Sequence, residues 1–93
     1  MPDETVKQKY RRAKQRAEKI LISSNYILIN PEANHLFTVI GTRNKEVRMV
    51  RIVLNKPSDD DVRDVASFPC PNQVTKEIWS WLEGGCFDVK EVN

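Results

Sequence analysis

Seven of the fifteen Lys and Arg residues fall within thirteen positions: Lys7, Lys9, Arg11, Arg12, Lys14, Arg16 and Lys19, with Glu18 the single acid among them. Cations at this density suit a phosphodiester backbone, because displacing its condensed counterions gives salt-dependent affinity without sequence preference. Arg43, Lys45 and Arg48 form a second basic group that would extend the first if both lie on one side of the molecule. A third constellation is Asp88-Val89-Lys90, an acid and a lysine two apart that would share a strand face and could hold a divalent metal beside a phosphate. Trp79 and Trp81 alternate along the segment before it, and exposed indoles can stack on bases.

The remaining chemistry is sparse. His35 has no Ser or Cys partner at a catalytic spacing, and Cys70 and Cys86 stand sixteen positions apart, outside any zinc-binding pattern. Both cysteines read as structural thiols of the kind often buried in a core. No GxSxG, Gly-rich phosphate loop or HExxH occurs in the chain.

The elements that must position these residues follow from periodicity and caps. Val6, Tyr10, Ala13, Ala17, Ile20 and Leu21 trace one helical stripe, with Thr5 and Gln8 as a capping box and Asp3 and Glu4 near the positive end of the dipole. Seven cations lie off that stripe, so the outward face of this helix is almost wholly basic. Residues 26–30, 34–41 and 47–55 read as strands, the last two joined through the polar turn at 42–46. Their apolar residues occupy odd and even positions, which predicts a sheet covered on both faces. Ser58 to Asp61 opens a second helix through another capping box, and Phe68-Pro69-Cys70-Pro71 closes it. Residues 76–82 and 86–92 read as a hairpin turning at Gly84-Gly85, although Gln73–Leu82 also has a helical apolar side. A two-residue turn there puts Trp79, Trp81, Glu83, Cys86, Asp88 and Lys90 on one face and Ile78, Ser80, Leu82, Phe87 and Val89 on the other. The Trp face is expected to pack on a helix, with Lys90 across a ring, because so small a domain needs its large aromatics inside.

The predicted fold is therefore a single α/β (α+β) domain over residues 1–93, ordered α-β-β-β-α-β-β, with a mixed sheet flanked by helices. The chain of 93 residues has a net charge of only +2, but residues 1–56 carry twelve basic and five acidic side chains, and residues 57–93 carry three and eight. Such asymmetry speaks to partners. No apolar stretch approaches a membrane span, and the N-terminus lacks the order of a signal peptide. Cytoplasmic residence, no membrane contact and reduced thiols are expected.

A helix bearing RRAKQRAEKIL, three strands with a hairpin, a short helix and a closing strand pair resemble the restriction-endonuclease-like fold. Within it the layout looks like the small archaeal Holliday-junction-resolvase type of nuclease, and the likeness in layout spans most of the chain. The resemblance implies an α-β-β-β-α-β core and a PD-(D/E)xK site, with an acid early in the second strand and an acid-x-Lys in the third. This chain has Asn34-His35 at the first place and Arg51-Ile52-Val53 at the second. The resemblance then implies a nuclease-like domain whose catalytic residues are lost, and a homodimer, since related resolvases act on two-fold substrates.

Three functions are in play. A non-catalytic module would bind nucleic acid through the basic helix, with no metal or small-molecule cofactor, or would assemble with a nucleic-acid-processing partner. A divergent Mg²⁺-dependent nuclease would use Asp88 and Lys90 with Glu18 or Glu32. A protein–protein module would self-associate by strand pairing or by charge, the basic helix of one copy meeting residues 59–64 of another.

Overall fold

The computed structural model describes residues 5–32 and 35–92, so Asp3, Glu4 and Asn34 lie outside the described residues. The element order is α1 (Val6–Ser23), β1 (Ile27–Ile29), β2 (Val39–Arg43), β3 (Glu46–Leu54), α2 (Asp59–Ser67), β4 (Val74–Leu82) and β5 (Cys86–Val92). Both helices begin on the expected boxes. Gln8 N–H donates to Thr5 Oγ1 while Thr5 N–H donates to Gln8 Oε1, and Ser58 and Asp61 repeat the exchange at α2.

The five strands form one sheet in sequential order, β1 to β5. All neighbours are antiparallel except β3 and β4, which run parallel and are joined by α2 as their crossover. Segment 74–82 is thus a strand, the helical alternative being excluded by its ladder to β3 on one side and β5 on the other.

Each helix covers its own face of the sheet. On one side Ala13, Ala17 and Leu21 of α1 press on Val39, Val50, Ile52 and Trp79, and the two alanines let the helix approach closely. On the other, Val65 of α2 packs with Phe37, Val53, Ile78 and Val92. β3 is accordingly buried on both faces, Val50 and Ile52 toward α1 and Val53 toward α2. The acids that begin α2, Asp59, Asp60 and Asp61, sit at the positive end of its dipole, on the side of the sheet away from α1.

Two sequence expectations are corrected. Strand β2 begins at Val39, five residues later than its apolar run suggests. Upstream, Phe37 N–H donates to His35 Nδ1, and the Leu36 carbonyl accepts from Arg51 Nη1. Side chains thus satisfy this backbone, and Phe37 is apolar because it fills the α2-side core. In the β4–β5 hairpin the closing pair is Leu82 and Cys86, so the turn has three residues, Glu83, Gly84 and Gly85. Both glycines hold positive φ, 93° and 80°, which explains their type. The extra residue shifts the register by one. Val89 pairs with Trp79 and Phe87 with Trp81 on the α1 side, while Lys90 and Asp88 lie opposite Ile78 and Ser80 on the α2 side.

Candidate nucleic-acid interface

Residues 9, 12, 16 and 19 of α1 are spaced by three, four and three, so they fall on one line along the helix, about 15 Å from end to end at 1.5 Å per residue. Lys9, Arg12, Arg16 and Lys19 are all exposed. This line runs beside the β4–β5 hairpin, and two depressions open between them. A groove of about 600 Å³ is lined by Val6, Lys9, Arg12, Trp81 and the Glu83–Gly85 turn. A shallower one is lined by Arg12, Gln15, Arg16, Lys19 and again Trp81. The half-buried Trp81 ring therefore faces both, its far side held edge-on by Phe87 at 4.8 Å between centroids. Of the other helix cations, Lys7 and Arg11 are exposed and Lys14 is half-buried on the flank facing Glu32 and His35.

The second basic group has a different role. Arg43 lies directly across the hairpin from Glu46, bonds it at 3.1 Å, donates to the Ser24 carbonyl at the end of α1, and covers the Tyr26 ring. Tyr26 also donates to Glu46, and these hydrogen bonds with the Arg43 charge hold that carboxyl below its ordinary range. Arg48 is committed to Glu77. Its Nε and Nη2 donate to the two carboxylate oxygens at 2.8 and 2.6 Å, and its guanidinium lies over both Tyr26 and Trp79. Only Lys45, at the tip of the β2–β3 turn, is exposed. The cation on the Trp79 ring is thus Arg48, where Lys90 was expected.

Glu77 is the residue that sequence reasoning missed. It is 6 % exposed. Besides Arg48, it accepts from Trp79 Nε1 at 3.0 Å and Thr75 Oγ1 at 3.1 Å, so each oxygen has two donors. Burial pushes this carboxyl up, but the Arg48 and Trp79 hydrogen bonds and the Arg48 charge outweigh it, and it titrates below the usual range. A signal was present: a buried indole needs an acceptor, and Glu77 lies two residues before Trp79 on the same strand face.

The alternative catalytic residues are not brought together. Asp88 and Lys90 are exposed on β5, one edge of the sheet. Glu32 precedes β2 and lines a polar depression with Tyr10, Lys14, His35 and Arg51. Strand order separates β5 from β2 by three strand widths, about 14 Å. Glu18 is on α1, across the sheet from the face that Asp88 and Lys90 present. Among the described residues no group of three His, Cys, Asp or Glu side chains converges to hold a metal. Arg51 bonds Asp61 of α2 at 2.9 Å, and Val53 is buried against α2. Burial pushes the Asp61 carboxyl up, yet its bonds from Ser58 and Arg51 leave it below its ordinary value. Tyr10 and Thr38 share a 2.7 Å hydroxyl contact at the start of β2, and Thr38 Oγ1 accepts from Ile52 N–H. Cys70 is half-buried and Cys86 exposed, the latter against expectation, because it opens β5 directly after the turn. No helix among the described residues is long and apolar enough to cross a membrane.

Comparison with known proteins returns no matching family model, no matching curated protein and no matching solved structure.

Proposed function

We propose that this chain is a nuclease-like domain that binds nucleic acid without sequence preference, through α1, and does not cleave it. One observation carries the reading: Lys9, Arg12, Arg16 and Lys19 form a continuous cationic line beside an accessible indole. A surface of that kind favours a linear polyanion, whose phosphates repeat along one direction as the helix turns do. The α-β-β-β-α-β-β order with a helix on each face of a mixed sheet supports the restriction-endonuclease-like part of the reading. The absence of cleavage is inferred from what replaces the expected acid and lysine of the third strand. Arg51 is tied to Asp61 and Val53 belongs to the core.

The test is duplex-DNA affinity by fluorescence anisotropy across a salt series. Three phosphate contacts, from Lys9, Arg16 and Lys19, give a log–log slope of about −2.7. Arg16→Glu with Lys19→Glu should reduce the slope by about two and weaken binding at least tenfold at low salt. No binding at low salt, or an unchanged slope in the double variant, refutes the proposal. Plasmid nicking with Mg²⁺ or Mn²⁺ that disappears in Asp88→Ala would replace it with the nuclease reading.

A further inference from the structure

Trp81 is placed differently from the most deeply buried aromatics, Trp79 and Phe37. Trp79, one turn of the pleat away on the same face, is 1 % exposed and bonded to Glu77. Phe37 is equally buried. Trp81 is only half-buried, and it forms the shared wall of both depressions beside the cationic line. The turn next to it also leaves room. A Cβ built on Gly84 would meet nothing within 4 Å, and one on Gly85 would meet only the Trp81 ring, at 3.8 Å. An approaching planar group thus finds a bare backbone on one side and cations on the other.

We propose that the groove takes a single strand, an unpaired base stacking on Trp81 while the neighbouring phosphates lie along Lys9, Arg16 and Lys19. This deepens the nucleic-acid reading above and rests on it. Duplexes present base edges in their grooves and keep the faces stacked, so an indole at the foot of a groove has no face to meet unless a base is extruded. A single strand offers the face at no such cost, and stacking tolerates any base because each has a π-face. The three cations reach the backbone on both sides of the stacked base, since Lys9 lines one depression and Arg16 and Lys19 the other.

The chain has two tryptophans, and the buried Trp79 is out of reach of a bound base, so quenching of the emission by a bound strand reports on Trp81. Titration with oligo-dT should quench this emission, and oligo-dT should bind at least tenfold more tightly than duplex of equal length at equal salt. Trp81→Leu should lose about 10- to 100-fold of single-strand affinity and a smaller factor of duplex affinity. Trp81→Phe, which keeps a stacking face, should retain most of it. Should Trp81→Leu fail to fold, as read from Trp79 emission, the wild-type quench and Trp81→Phe still decide. Equal affinity for both forms with no quench overturns the single-strand assignment and leaves nucleic-acid binding standing. No binding of either form overturns both. Polyglutamate that competes as well as oligo-dT overturns the assignment in favour of an acidic protein partner.

Discussion

Glu77→Gln is the sharpest test of how this sheet is held together. The wild-type carboxylate accepts four hydrogen bonds, two of them from the Arg48 guanidinium. A glutamine in its place keeps the shape but has one oxygen. With its amide nitrogen at the Oε2 position, Thr75 can turn its hydroxyl to accept, but the nitrogen then faces Arg48 Nε, donor against donor. Losing one charge-assisted bond outright and the charge behind the other costs about 2–4 kcal/mol. The lower end applies because the Arg48 side chain is 25 % exposed and recovers some hydration. A chain of this length has about 5–14 kcal/mol in total, so the variant stays folded and measurable. Urea unfolding followed by tryptophan emission should show the midpoint fall by roughly 1–2 M, at about 1–2 kcal/mol per molar urea. The converse variant, Arg48→Met, makes a qualitative prediction. In the wild type the folded Glu77 pKa lies below its unfolded value, so its contribution is present above about pH 4.5 and fades as acid protonates the folded form. Without Arg48 the burial dominates and the folded pKa lies above the unfolded one, so stability at this site falls as pH rises from 4 to 7. The pH trend inverts. Arg48→Met with Glu77→Leu should be less damaged than either single variant, because no lone buried charge remains. A Glu77→Gln loss under 0.5 kcal/mol, an unchanged pH trend in Arg48→Met, or additive losses in the double variant would each refute this account.

Other consequences are quicker to check. Ser58→Ala removes the acceptor for Asp61 N–H and should cost about 1 kcal/mol in urea unfolding. Asp61→Asn should lower stability at pH 7 yet flatten its decline between pH 5 and 3, since the folded Asp61 pKa lies below the unfolded one and the wild-type contribution disappears as pH falls. Gly84→Ala meets open space but a φ of 93°, so its cost of about 1–2 kcal/mol is purely backbone and should appear without change in the core. In a thiol-reagent time course, Cys86 should react fast and Cys70 slowly, since Cys70 is half-buried with its Sγ 3.6 Å from Met49 Sδ.

Local signals in the sequence locate both helices, because an apolar stripe and a Ser or Thr box act within one turn of the residues that show them. The final hairpin is legible too, from Gly-Gly between alternating segments. Its facing is not: two- and three-residue turns both accept that pair of glycines, and the choice flips every side chain after Cys86. Apolar residues 36 and 37 mislead about the start of β2, since composition cannot tell a strand from a loop that inserts Phe37 into a core. Among the candidate contacts, the line on α1 follows from helical spacing alone. That Arg48 serves the fold depends on a pairing 29 residues distant, with Glu77, which no local pattern displays.

The two helices give the sheet opposite signs on its two sides: α1 carries seven cations against one acid, and α2 four acids against one arginine. The molecule is in effect a small capacitor with the sheet as its spacer. In the field of a polyanion it turns before it touches, arriving with α1 forward and α2 behind. On the proposed nucleic-acid reading, a seated copy would turn an acidic back to any second strand and coat without cross-linking: a filament saturated with this domain should stay dispersed, and light scattering at excess protein should stay flat.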